Sequence, residues 1–269
     1  TNTPVYPPFL SSPGNSGLPC TRIPMIVKEG RFTIDFDALH NLETSPNDLF
    51  MLCHPHNPVG TNFSRQELEN LSEYIIEREL FICSDEIHCD LILEESLSHI
   101  PFASLSDEIA DRTITLMAPS KTFNLAGFGC SFAIISNAGL RKRFKNAMRG
   151  IVPDPPAMGF RIAEVAYREC EEWRIRLLHY LRSNRDFVFK ELLLLDGLIP
   201  YSPESTYLMW IDATELKVDC PHAFFENAGV GLSNGADFAG PGFLRLNLGS
   251  SFNLLESAIA RMKSAISEL

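Results

Sequence analysis

Basic residues are scarce in this sequence: 23 Lys and Arg stand against 34 Asp and Glu over 269 residues, a net charge of −11. A chain so acidic lacks the basic face that holds nucleic acid or an anionic membrane surface, so neither is expected as a partner. Long hydrophobic runs are also missing. The apolar stretches are short and broken by charge, and no transmembrane helix is expected. The first residues lack the charged-then-apolar pattern of a signal peptide. Seven cysteines, an odd number, lie mostly within apolar stretches; reduced thiols in a cytoplasm are expected rather than a disulfide framework. No Gly-x-Gly-x-x-Gly follows a strand-like run, which removes the dinucleotide fingerprint. Cys53, His54, His56, Cys83, His88 and Cys89 are soft or borderline ligands, but their spacings match no zinc pattern.

What is present is the composition of a soluble globular protein, 45% hydrophobic and 21% charged, long enough for one large domain or two ordinary ones. Residues 1–20 are rich in Pro, Ser and Gly and read as loop. Met25-Ile26-Val27 and Arg31-Phe32-Thr33-Ile34 are short strand candidates, and Asp35 and Asp37 open a short helix through Leu39. Ser64 with Glu67 three residues on forms a capping box. The helix it starts repeats Leu68, Leu71, Tyr74 and Ile75 at helical spacing. Leu140–Met148 is a basic amphipathic helix with a solvated face, and Ile151–Pro156 a loop. From Ala157 to Leu195 the pattern is helical almost throughout, with an apolar stripe of Trp173, Leu177, Tyr180 and Leu181. Beyond Gly197, strands Tyr207–Ile211 and Phe243–Asn247 alternate with helices Pro221–Asn227 and Leu254–Leu269.

Three apolar runs end in chemically useful groups. Phe50–Cys53 leads to Asn57-Pro58-Val59-Gly60, Phe81–Ser84 ends in Asp85-Glu86, and Ile114–Met117 leads to Ala118-Pro119-Ser120-Lys121. Buried parallel strands read as such runs, and in an open parallel sheet their carboxyl ends converge on one ligand-binding crevice. A lysine in that crevice is costly to keep charged, which is one way to make the amine a nucleophile towards carbonyls. Arg245, in the run Phe-Leu-Arg-Leu-Asn, can grip a carboxylate bidentately.

Asn-Pro-x-Gly, Ser-Asp-Glu-x-His and Pro-Ser-Lys-Thr-Phe-Asn in this order resemble the fold-type I pyridoxal 5'-phosphate (PLP) enzymes. They are most similar to the MalY/PatB branch of cystathionine β-lyase-type carbon–sulfur lyases. Thr3-Pro4-Val5-Tyr6-Pro7-Pro8-Phe9 and Pro241-Gly242-Phe243-Leu244-Arg245-Leu246-Asn247 extend the resemblance from end to end. It implies an α/β fold of the aspartate aminotransferase type. A mostly parallel large domain would span 1–172 and a smaller α/β domain 173–269, with part of the large domain upstream of Thr1.

The resemblance also assigns roles. Lys121 is the covalent attachment point of PLP and the base for the Cα proton. Asp85 faces the pyridine nitrogen, although Asp is also a common helix cap. Asn57 meets the phenolic oxygen, although Asn also suits the turn before Pro58. Tyr6 stacks on the ring or is a loop aromatic. His88 occupies the place of an aminotransferase tyrosine, where it tunes the phenolic oxygen or is a core histidine. Arg245 holds the substrate α-carboxylate, the alternative being a surface ion pair. Two aminotransferase features are absent: an arginine eight residues after the lysine is here Gly129, and a hydroxyl three residues before it is Ala118. The phosphate is left to Ser120, backbone amides and an upstream Gly-rich loop. The implied reaction is α,β-elimination on an amino-acid thioether, in a homodimer. Transamination, or a catalytically silent binding protein on the same fold, are the alternatives.

Overall fold

The computed structural model describes residues 1–269. Its central sheet has four strands: β1 (Leu49–Cys53), β2 (Phe81–Asp85), β3 (Thr113–Met117) and β4 (Phe132–Ile134), in that order. The first three are parallel, and β4 runs antiparallel along the far edge of β3. Cys53 lies opposite Asp85, and Asp85 opposite Leu116, so the carboxyl ends of the parallel strands are level.

Helix Arg65–Glu77 makes the crossover from β1 to β2. Ser64 Oγ accepts the Glu67 N–H at 3.3 Å while Glu67 accepts the Ser64 N–H at 2.8 Å, the capping box read from the sequence. Leu68, Leu71, Tyr74 and Ile75 are all fully buried, in one core with Phe50, Leu52 and Ile82. Each such side chain contributes roughly 1.5–3 kcal/mol, so this face holds the helix far more firmly than its cap does. Ser64→Ala is therefore expected to cost about 1 kcal/mol in urea unfolding without altering the slope of the transition.

Two expectations are corrected in the helices. Residues 7–15 form a helix (Pro7–Asn15) rather than loop. Pro7 and Pro8 occupy its first turn, where no N–H is required. Pro13 lacks the N–H that would reach the Phe9 carbonyl, and the Cys20 thiol approaches that oxygen at 3.9 Å instead. The long helical region is two helices, Ala157–Glu169 and Glu171–Leu192, parted at Cys170. The second buries Leu178, Leu181, Asn184, Val188 and Leu192, whereas Trp173 and Tyr180 of the predicted stripe are more than 40% exposed. Their rings serve elsewhere: Trp173 lies 6.0 Å from Phe123, and the Tyr180 hydroxyl accepts the Phe252 N–H at 2.8 Å.

A second sheet comprises β5 (Ile199–Tyr201), β6 (Leu208–Asp212), β7 (Ser233–Asn234) and β8 (Phe243–Asn247), antiparallel throughout in the order β7-β8-β6-β5. Met209 and Ile211 face a core built with Leu255, Ile259 and Met262 of helix Phe252–Ser267. Trp210 points the other way, into the core of the first sheet, stacked 5.3 Å from Phe243. Gly240 must stay bare: a Cβ there would meet the Trp210 ring at 2.7 Å. Both faces of β6 are thus covered, and the edge of the second sheet is brought beside the strand ends of the first.

Candidate functional site

Past the last paired residues the parallel ladder continues. His54 N–H donates to the Asp85 carbonyl at 2.9 Å, and Glu86 N–H to that of Leu116 at 2.9 Å. The three loops leaving β1, β2 and β3 therefore start side by side; Asp85 ends β2, and the loops after β1 and β3 carry Asn57 and Lys121.

The lysine loop is pinned on both sides. Phe123 N–H returns to the Pro119 carbonyl at 2.9 Å and Leu125 N–H to that of Ser120 at 3.0 Å, with Asn124 in the left-handed region at φ +55°. Thr122, fully buried, donates to Asp90 at 3.3 Å. Ser120 and Lys121 are half-buried on this loop. Asp85 receives one hydrogen bond, from the Ile87 N–H at 3.2 Å. Burial pushes its carboxyl up to about 6, with Glu86 adding to the rise and the Ile87 N–H and Lys121 opposing it. Glu86 points away and is structural. It is 1% exposed and takes the Ser84 hydroxyl, the Phe102 N–H and His99 Nε2, the last at 2.8 Å.

Arg245 reaches across from β8. Its Nη1 donates to Asn57 Oδ1 at 3.0 Å, its Nη2 to Ser233 Oγ at 3.1 Å, and the guanidinium sits 4.5 Å over the Phe238 ring. No carboxylate of the chain pairs with it, so the surface ion pair expected as its alternative role is not formed. Burial lowers its pKa, opposed by Tyr207 and Tyr6. Because Asn57 spends its carbonyl oxygen on Arg245, its amide N–H groups remain to meet an oxygen acceptor.

His88 is 3% exposed, and its Nδ1 has no partner. Its pKa falls to about 3, through burial first and then the charges of Lys121 and Arg245, so the ring is neutral. Tyr6 is 39% exposed at the start of helix Pro7–Asn15, and the preceding Val5 is tied by its N–H to the Phe238 carbonyl at 3.0 Å. Tyr6, Asn57, Asp85, His88, Lys121 and Arg245 thus converge on one crevice between the sheets. Sequence reading missed Tyr207, whose ring stands edge-on to His88 at 5.9 Å, and Ser233 and Phe238, which seat Arg245. Only their spacing from Arg245 could have signalled them, and they lie on separate elements.

A cavity of about 430 Å³ lies elsewhere, lined by Leu18, Ile23, Leu39, Phe50, Tyr74 and Leu80. It holds none of these charges, and chemistry follows charge rather than volume here. In the crevice, three features call for one ligand: a carboxylate with no cation bonded to it, an unpartnered histidine nitrogen, and an amide donor with a free face. A ring carrying a protonated nitrogen on one side and an oxygen on the other satisfies all three. PLP has that shape, and the residues present fit it. Ser120 and the turn amides near it are the groups available to its phosphate. Gly129 brings no arginine.

Comparison with known proteins agrees with this geometry. The family described as aminotransferase class I and II matches residues 1–262. Cystathionine beta-lyase PatB of Bacillus subtilis is 34% identical, over 98% of this chain and 70% of its own. A crystal structure of OvoB is 43% identical with a TM-score of 0.97, covering all of this chain and 71% of that one. Cystalysin of Treponema denticola, whose structure contains PLP, is 33% identical with a TM-score of 0.92, covering 99% and 70%. No helix is long and apolar enough to cross a membrane. The chain belongs to the aminotransferase class I and II family, on the branch that holds the MalY/PatB cystathionine β-lyase type.

Proposed function

We propose that this protein is a PLP-dependent carbon–sulfur β-lyase, converting cystathionine or a similar cysteine thioether to a thiol, pyruvate and ammonia. One observation carries the reading: Arg245, without a carboxylate, and Lys121 both face the buried His88, and Lys121 also faces Asp85, which has no bonded cation. Bound PLP supplies the electron sink that lets the Cα proton leave. Asp85 holds the proton on the ring nitrogen, which its own reluctance to stay ionised alone favours. Asn57 and neutral His88 would face the phenolic oxygen, Tyr6 would cover the ring, and Ser120 would serve the phosphate. Lys121 would anchor the cofactor and, once its Nζ is freed, would remove the Cα proton; the Cβ–S bond breaks with its electron pair passing to sulfur, which takes up a proton to leave as thiol, and water completes the release of pyruvate and ammonia. Arg245 holds the α-carboxylate, which keeps the Cα–H bond aimed at Lys121.

The relatives named cystathionine β-lyase support this reaction over transamination. The division at residue 172, a cytoplasmic home and a homodimer belong to the same proposal. All seven cysteines are free. The apolar groove of about 420 Å³ between Phe123–Leu125 and Arg161–Trp173, next to the lysine loop, is a surface a second copy would cover.

The test is product analysis on the full-length protein. Cystathionine is expected to yield pyruvate without a keto acid; turnover that requires one, with no pyruvate formed, would make the protein an aminotransferase. Arg245→Ala is expected to weaken kcat/KM by roughly 2–5 kcal/mol, since it strips a half-buried carboxylate of its charged partner. An unchanged kcat/KM would remove Arg245 from the site.

A further inference from the structure

Between β5 and β6 the chain is held in a conformation that needs a reason. Thr206 is β-branched, wholly buried and at φ +69°, a region that costs such a residue on the order of 1–3 kcal/mol. Its surroundings enforce the conformation. Glu204 binds Arg31 Nε at 2.7 Å and the Asn62 N–H at 2.9 Å, while its carbonyl accepts the Leu93 and Glu94 N–H groups. Ser205 donates both its N–H and its hydroxyl to the Gly60 carbonyl. Thr206 N–H goes to the Leu91 carbonyl at 2.8 Å, and its Oγ1 accepts the Leu208 N–H at 3.1 Å. Three consecutive residues of the second sheet's lead-in are thus bolted onto loops of the first.

The residue delivered by this arrangement is Tyr207. Its backbone is fixed by the Leu248 N–H at 2.7 Å, and its ring meets His88 edge-on. Its hydroxyl has no hydrogen-bond partner in the chain, yet the phenol and the Arg245 guanidinium feel each other's charge. Arg245 itself binds Asn57 and Ser233, not Tyr207. A gap too wide for a direct bond, with a donor on each side, suits an anion that bridges them.

We propose that Tyr207 is a substrate-contacting residue whose hydroxyl donates to the α-carboxylate held by Arg245, and that the strained Thr206 aims it there. This rests on the crevice being an amino-acid site, as in the reading above. It adds a second, uncharged donor from a different element, which reinforces the orientation that the Arg245 guanidinium gives the carboxylate.

The test compares Tyr207→Phe with the unaltered full-length holoenzyme, using three probes. S-methylcysteine reports KM and kcat. 3-(Methylthio)propionate, a carboxylate without an amine, and 2-(methylthio)ethylamine, an amine without a carboxylate, report binding by calorimetry. A hydrogen bond to a charged group predicts a rise of about tenfold to a hundredfold in KM and in the Kd of the carboxylate. The Kd of the amine should stay within twofold, and the melting temperature within a degree or two. Equal losses for both probes would make Tyr207 a packing residue and overturn the proposal, as would no loss for either. Glu204→Gln should give the same carboxylate-selective loss in weaker form. If no pyruvate forms yet the carboxylate alone loses affinity, the lyase reading falls and Tyr207 stands. If pyruvate forms and the probes are unaffected, the reverse holds.

Discussion

Lys121→Ala is expected to abolish turnover of the full-length protein and to leave no cofactor covalently bound. The amine has two duties in the proposed reaction, anchoring PLP and moving the Cα proton. Positioned acid–base catalysis alone contributes about 10²–10⁴-fold, and loss of the anchor adds to it. The structure allows the two effects to be separated. Asp85 ends β2, Asn57 and His88 lie on other loops, and the lysine loop is pinned through Thr122 and the Pro119 and Ser120 carbonyls rather than through Nζ. The variant should therefore fold and still take up PLP reversibly. Borohydride followed by peptide mapping reads the anchor: the unaltered protein should carry a reduced adduct on Lys121 and the variant none. An adduct on another lysine, or a variant that keeps turning over, would move the chemistry out of this crevice.

How much of this could be read from the chain alone varies with the kind of signal. β1, β2 and β3 each bury one face and cover much of the other, so each reads as an apolar run, and each ends at or beside the residue that matters; Asn57, Asp85 and Lys121 were legible for that reason. Ser64 and Glu67 declared their helix by chemistry local to four residues. Helix Pro7–Asn15 was hidden because its Pro, Ser and Gly content belongs to loops. It forms because two prolines fit a first turn and Phe9 has a core to enter. The stripe on helix Glu171–Leu192 was misplaced because Trp173 and Tyr180 are aromatic without being core. Tyr207 had no local signature at all. Its placement depends on Thr206 adopting a left-handed backbone, which contacts more than a hundred residues away in sequence, at Arg31, Gly60 and Leu91, impose.

The second large effect is a steep loss of stability in mild acid. His54 and His88 are almost wholly buried, each has an Nδ1 without a partner, and burial holds both pKa values below the ordinary 6.5. His56, also buried, is lowered to about 4 although the Pro4 and Cys53 carbonyls favour its charged form. The unfolded chain takes up a proton on each of these rings near pH 6.5 and the folded chain does not. Their contribution is thus present above that pH and drains away as pH falls towards 4. With about 1.4 kcal/mol per pH unit for each ring kept neutral, His54 and His88 alone cost about 3 kcal/mol per unit. Asp85 works in the opposite sense. Its folded pKa, about 6 against an ordinary 3.8, means that the apoprotein gains stability from this group as pH falls through that window. One carboxyl cannot offset three imidazoles, so urea midpoints of the apoprotein should drop from pH 6.5 to pH 4.5. His88→Gln should shed about one proton's worth of that slope and Asp85→Asn should steepen it. PLP should reverse the Asp85 component, because a cationic ring nitrogen favours the ionised carboxylate. Midpoints that stay flat over this range would mean that the buried rings are charged in the folded protein, and the neutral His88 assigned to the phenolic oxygen would go with them.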